Sequence, residues 1–356
     1  MSAAEAERQA SARETSAAEG YASGVNTVAR TQLLAANQPP ARFYRGGARI
    51  AALRGDPPCT DHQPEDWVGS TTTVRGRDLE GLSRLPDGTL LREAVERDPR
   101  AWLGESHVAR FGADARLLVK LLDAGQRLPV HAHPHGDFAR EQVHAAHGKA
   151  EAWYILEPGE VYLGLTEDVS AEEMLDLVSR QDVEALLGRM HRLPVDAGDA
   201  VYVPPGLLHA IGEGVLLLEV QEPEDLSILL EWRDFDLDGA RDGHLGLGFP
   251  LALEAVTRTT ASAEQIAELI TRRRSSGSVL PAAADEYFGL ERIVVDGEVE
   301  LDPGFAVLLV AEGPLRLEAD VAFEAPAGST VLVPHAAGPV RVSGQGVLLR
   351  ARPPRP

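Results

Sequence analysis

Two histidines one residue apart, in the pattern Gly125–x5–His131–x–His133, are followed downstream by Gly198–x5–Pro204–x–Gly206–x2–His209. Along a β-strand successive side chains point to opposite faces, so His131 and His133 project to the same side and can grip one metal ion. The run Val201-Tyr202-Val203 reads as a strand, and the Pro204-Pro205-Gly206 turn behind it sets His209 at the start of the next one. Between the two segments Glu151 opens an apolar run to Leu156, a third strand that can offer a carboxylate. Three imidazoles and a carboxylate make a donor set for zinc or a related divalent ion, with room for a water or a substrate oxygen.

These donors lie on separated segments, so a β-barrel must bring them together. Arg116–Leu122, Glu151–Leu156, Val161–Leu165, Ala200–Val203, Val215–Gln221 and Ser227–Trp232 are short apolar or alternating runs punctuated by Gly, Pro and Asp, and they predict strands. Phe43–Leu53 reads as an ordered turn leading into a strand. Helical signals fall around Leu91–Glu96, Ala171–Val178 and Val183–Met190. Ser170 and Glu173 are spaced as a capping box, and Ser262–Arg273 reads as a further helix opened by a serine. Ser275–Ser278 reads as a linker, and from Glu291 onward the chain is almost wholly β. The piece Pro326–x–Gly328…Pro334 loosely repeats Val195…Gly198…Pro204, which predicts a second barrel of the same kind without the metal ligands. The organisation expected is a flexible extension over 1–28, a metal-binding unit with helical insertions over 29–274, and a smaller β-barrel over 279–356.

Composition limits the partners. The 356 residues carry 34 Lys plus Arg against 55 Asp plus Glu, a net charge of −21, and that field repels nucleic acid and anionic lipid. No stretch approaches the roughly 20 apolar residues of a spanning helix. The start, MSAAEAERQA, has neither a basic region nor a hydrophobic block, so no secretory signal is expected. Cys59 is the single cysteine, which precludes an internal disulfide framework and suits a reducing cytoplasm. A small molecule is the partner expected. Oligomeric state is not legible.

The two histidine segments resemble the paired motifs of the cupins. Pro64–Ser70, Leu117–Pro134, the string Gly148-Lys-Ala-Glu-Ala-Trp-Tyr154 and Ala197–Ile211 together resemble the type I phosphomannose isomerases, a zinc-dependent branch of that superfamily, over roughly residues 30 to 350. The resemblance implies a mainly β fold of two tandem cupin jelly-roll barrels with a few inserted helices, and one Zn2+ per chain, another divalent ion being open. Carried over residue by residue, it implies metal ligands at His131 (where the family has Gln), His133, Glu151 and His209. It implies active-site roles for Lys149, Lys120 and Glu219. Two family residues suited to phosphate are missing. Pro129 stands where the family has Ser, and Leu229 where it has Arg, with Arg233 a nearby substitute.

The activity implied is aldose–ketose isomerisation of the mannose/fructose type, on the free sugars or their 6-phosphates, through an enediol(ate). Loss of the phosphate groups tilts the expectation toward a free sugar. Metal polarises the carbonyl and hydroxyl oxygens while a tuned base moves the carbon-bound proton. Lys149, Lys120 and Glu219 are candidates for that work, which of them is the base being open, with His135 and Asp137 behind them. Trp153 and Tyr154 read as core, and His144 and His147 as solvated loop residues. The alternatives are a non-catalytic sugar-binding or regulatory cupin, and a cupin oxygenase using non-haem iron.

Overall fold

A computed structural model describes residues 28–272 and 276–356. The extension expected over 1–28 therefore lies almost wholly outside the described residues, as does Ser275 of the expected linker. The fold is mainly antiparallel β, in three sheets. The first contains β2 (Glu65–Val68), β3 (Leu118–Asp123), β5 (Glu151–Glu157), β8 (Ala200–Val203), β10 (Leu216–Gln221) and β12 (Ile270–Thr271), in the order β12-β8-β5-β10-β3-β2. The second runs β11-β4-β9-β6-β7, from β4 (His131–Ala132), β6 (Gly159–Leu165), β7 (Met190–Val195), β9 (His209–Ile211) and β11 (Ile228–Leu229).

Alternation along these strands decides what each face meets. On β5, Trp153 and Ile155 join Leu122, Val203 and Leu217 of the first sheet and Val161, Leu163 and Ile211 of the second in one buried core, so the two sheets pack face to face as a jelly roll. Ala152 and Tyr154 point the other way. With Leu121, Leu218 and Val220 they pack against Val307, Leu309 and Leu349 of the third sheet. That third sheet holds β1 (Gln32–Leu34), β13 (Gly277–Ser278), β14 (Gly289–Leu301), β15 (Ala306–Glu312), β18 (Thr330–Val333) and β19 (Val340–Arg352), with β16 (Leu315–Glu318) paired to β19 and β17 (Ala322–Ala325) to β16. Leu308, Val310, Val331, Val342 and Leu348 fill its own interior. The repeat seen in sequence has a structural counterpart. Gly198 and Gly328 both take positive φ just before β8 and β18, and Pro204 and Pro334 follow those strands.

Several expectations need correction. The first described strand, expected with the metal-binding unit, pairs instead with β18 in the C-terminal sheet, Gln32 opposite Leu332. Phe43–Leu53 leads into a helix, Ala48–Arg54, not a strand. Asp123 Oδ2, reaching from β3, accepts the amides of Gly47 and Arg49 at 2.8 and 3.0 Å and so caps that helix from a distant segment. The helix expected over Ser262–Arg273 has its full capping box on Ser262 but stops at Glu268, because Ile270–Thr271 pairs with the open edge of β8. Ser170 caps its helix through the Glu173 amide at 3.1 Å, without the reciprocal half of a box. The helix expected to reach Met190 ends at Gly188, and Met190 opens β7. Gly277–Ser278, read as linker, is β13 and pairs with β14.

Candidate metal centre and active site

His131 on β4 stands directly opposite His209 on β9. His133 follows one turn of the pleat later, and Glu151 is the first residue of β5, on the same face as Trp153. The result is a buried group in which one ligand atom from each of His131, His133, Glu151 and His209 lies within 4.8 Å of all the others. All four predicted metal ligands are thus brought together.

The protonation of the imidazoles follows from their partners. Nδ1 of His131 faces Pro129 O at 2.8 Å, that of His133 faces Leu226 O at 2.6 Å, and that of His209 faces Leu207 O at 2.8 Å. A carbonyl oxygen only accepts, so in each ring Nδ1 carries the proton and Nε2 presents its lone pair inward. Glu151 Oε1 accepts from Trp153 Nε1 at 3.1 Å, which gives that core tryptophan a second task. His133 Nε2 and Lys149 Nζ both lie 2.9 Å from Glu151 Oε2, yet that oxygen and His209 Nε2 have no aligned hydrogen-bond partner. Lys149 Nζ stands 3.0 Å from His133 Nε2, but the buried Glu151 Oε2 and His209 Nε2 lone pairs have no aligned donor, which is unfavourable unless a cation lies among them. The donor set therefore fits a divalent metal ion. Burial, with His209 and His133 beside it, keeps His131 neutral, while burial and the Lys149 ammonium push His133 down to about 3. Burial opposes ionisation of Glu151, but Lys149 and the histidines outweigh it and hold the carboxyl well below its usual range.

Backbone geometry fixes the ligands. A Cβ on Gly148 would lie 2.6 Å from Gly136 N and 2.7 Å from Pro134 O, so only glycine lets Lys149 and Glu151 approach the histidine strand. Gly206, at φ +86°, turns the chain so that its amide bonds His133 O at 2.7 Å.

Beside the metal ligands lies a second buried network. Lys120 on β3 sits opposite Glu219 on β10, 3.2 Å away, and 3.6 Å from Glu65 on β2. Its ammonium stands 4.8 Å from the Trp67 ring centroid. Glu65 also accepts from Tyr44 Oη (2.6 Å), Trp67 Nε1 (2.7 Å) and Arg42 Nε (3.1 Å). Burial opposes the charge on Glu65, and Arg42 and Lys120 overcome it, so its pKa falls below the normal range. Burial likewise works against the Lys120 ammonium, and Glu219 and Glu65 keep it protonated. For Glu219 burial outweighs the pull of Lys120, and its pKa rises, with the Glu151 carboxylate adding to the rise. His131, Glu151, Lys149, Lys120 and Glu219 all open onto one cavity of about 630 Å3, with His133 and His209 behind them. That is the size of a small-ligand pocket.

Other expected positions fall elsewhere. Arg233 is exposed, with Nη2 on Arg180 O at 3.4 Å and its amide held by Gln181 Oε1 at 3.1 Å, and it does not line the cavity. Gln181 also takes the Trp232 amide, which turns the backbone away after Leu230. Asp137 pairs with Arg140, and both it and His135 stand at the surface away from the cavity. His147, read as solvated, is buried between Arg116 Nη1 (2.6 Å) and Asp114 Oδ2 (2.7 Å). Pro129 and Leu229 do line the cavity beside His131. Sequence reasoning missed Arg42, Tyr44, Glu65 and Asp225 in its wall. The available signal was the acidic pair Glu65-Asp66 just before Trp67-Val68, within the Pro64–Ser70 stretch that carries the family resemblance.

No protein-family model matches the chain. It is 30% identical over 240 residues to mannose-6-phosphate isomerase ManA of Bacillus subtilis, covering 64% of this chain and 72% of that protein. Over 129 residues it is 38% identical to the mannose-6-phosphate isomerase of Streptococcus mutans, 35% of this chain and 38% of the relative. Among solved structures, mannose 6-phosphate isomerase from Bacillus subtilis superposes with TM-score 0.70 at 23% identity, over 91% of this chain and 99% of the other. An E264A mutant of phosphomannose isomerase from Salmonella typhimurium gives 0.71 at 17% identity, over 92% and 100%. The structural likeness establishes the shared fold, and the extended match to ManA carries the assignment further: the chain belongs to the mannose-6-phosphate isomerase family of isomerases.

Proposed function

We propose that the chain interconverts an aldose and a ketose of the mannose/fructose type, and that the free sugar is favoured over its 6-phosphate. The observation carrying this reading is the buried group of His131, His133, His209 and Glu151 beside one cavity that Lys149 and the Lys120–Glu219 pair also line. His131, His133, Glu151 and His209 would hold one divalent ion, zinc being the best match to three imidazoles and a carboxylate without thiolates. Bound there, it would supply Lewis-acid polarisation of the sugar's carbonyl and neighbouring hydroxyl.

The remaining work falls to the chain's own side chains. Glu219 is the candidate proton carrier between C1 and C2, since it lines the cavity, no hydrogen-bond donor is aligned on its Oε1, and burial raises its affinity for a proton. In the forward direction its carboxylate takes the proton from C2 of the aldose and returns it to C1, leaving the enzyme unchanged. Lys120, kept protonated, is a poor base, and its part is to orient Glu219 and donate to a sugar oxygen. Lys149, within 2.9 Å of Glu151, is placed to pass a proton between O1 and O2. Pro129, which has neither hydroxyl nor N–H, and Leu229 support a neutral substrate, since both wall the cavity beside His131. Cys59 stands as a free thiol, in keeping with a cytoplasmic setting.

The test is a side-by-side isomerase assay over free and phosphorylated hexoses and pentoses with metal-loaded protein. Turnover of free mannose at least comparable to that of mannose 6-phosphate is expected. A large kcat/KM preference for the ester would refute the neutral-substrate reading, and no turnover of any aldose would refute the isomerase reading.

A further inference from the structure

Arg42 comes from the loop before the first helix, far in sequence from every metal ligand, yet its side chain is only 13% exposed and lines the active-site cavity. Its Nε lies 3.1 Å from Glu65 Oε1 and its Nη2 3.5 Å from Asp225 Oδ1. Both carboxylates are themselves fixed. Tyr44 and Trp67 hold Glu65, and the Arg75 amide holds Asp225 Oδ2 at 3.1 Å. The guanidinium therefore has a set orientation, and its Nη1 N–H groups have no bonded acceptor among the described residues. Its charge is more than matched, one cation between two anions.

The same balance extends around the cavity. Arg77 lies 3.7 Å from Glu80, and Arg241 is paired with Asp242 at 2.7 Å. Of the charged residues lining the cavity, six are basic and six acidic. Arg75 alone among the rim arginines forms no ion pair with a described residue, and it is exposed. A fork of N–H donors beside carboxylate acceptors suits sugar hydroxyls, which both accept and donate. A phosphate dianion has no donor hydrogen for Asp225 and meets its negative charge.

We propose that Arg42, clamped between Glu65 and Asp225, grips the hydroxyls of the substrate beyond its reacting carbons, and that the clamping carboxylates make the site selective for an uncharged sugar over its phosphate ester. The proposal rests on the isomerase reading for the identity of the ligand as a sugar.

Two alditols that cannot be isomerised, mannitol and mannitol 6-phosphate, separate the proposal from that reading. Calorimetric titration of metal-loaded wild type should show tighter binding of mannitol. Arg42→Ala should weaken mannitol by about 10- to 100-fold, the range for hydrogen bonds to a charged group, with Arg42→Lys recovering part of the loss. Asp225→Asn, nearly isosteric and thus expected to fold, should shift the affinity ratio toward the 6-phosphate by about tenfold or more. Mannitol affinity within about twofold of wild type in Arg42→Ala, an unmoved ratio in Asp225→Asn, or a wild-type preference for the phosphate through Arg75 would each overturn the proposal. If no aldose is turned over while mannitol still binds through Arg42, the isomerase reading falls and the role of Arg42 stands.

Discussion

Replacing Lys120 by Met is the sharpest perturbation of the buried network. Lys120 and Glu219 each have side chains 4% exposed, 3.2 Å apart, and Lys120 also faces Glu65 at 3.6 Å. Removing one partner of a buried pair costs about 3–5 kcal/mol, because the other charge is left without compensation. Here the lower end applies, about 3 kcal/mol. Glu65 keeps Arg42, Tyr44 and Trp67, so the strain falls on Glu219 alone. Glu219 can escape by taking a proton, to which burial already predisposes it. The companion change Glu219→Gln removes the stranded charge, so the double variant should lose only about 1 kcal/mol and the cycle should give a coupling of about 2 kcal/mol or more. Urea unfolding of metal-loaded protein at neutral pH reads all four corners. A single-variant loss below about 1 kcal/mol, or additive losses, would refute the claim that these two side chains stabilise each other. Isomerase turnover should be lost in all three variants, including the stable double one, which separates the catalytic role from the structural one.

His133→Ala and Glu151→Ala should each lose bound metal and isomerase activity together, since each removes one donor from a four-donor set; activity in the metal-free variant would remove the assignment. Glu65 makes a pH prediction. Its folded pKa lies below the ordinary value of about 4.3, so it contributes stability at neutral pH that is lost as pH falls below that value. Glu65→Gln should therefore flatten the fall in unfolding free energy measured between about pH 5 and pH 3, and an unchanged slope would count against the ion pairs drawn around it. Gly148→Ala should lower metal affinity and thermal stability, because its Cβ would meet the backbone at Gly136 and Pro134; a variant with unaltered Tm and metal affinity would show that the segment can shift aside.

Local pattern made much of this legible. Alternation placed β5, β6, β8 and β10 close to their true bounds, because each buries one face in the jelly-roll core and the other against a neighbouring layer. The grouping of the four candidate metal ligands was readable because spacing along a strand fixes facing, and His131, His133 and His209 sit at strand ends where one pleat determines direction. What stayed hidden depends on partners remote in sequence. Nothing near Ala48 announces a helix whose N-terminus is capped by Asp123, and nothing near Ile270 announces the free edge of β8. Arg42 reaches Asp225 across 183 residues, so no window could join them. Arg233 is near Leu229 in sequence, but Gln181 turns that backbone outward.

The stoichiometry of bound metal tests the centre most directly. Elemental mass spectrometry on protein purified without chelators should find close to one divalent ion per chain, zinc foremost, held by His131, His133, Glu151 and His209. Protein that is folded and active as an isomerase yet carries no such ion, or that keeps it after Glu151 and His209 are both replaced by Ala, would contradict the centre described.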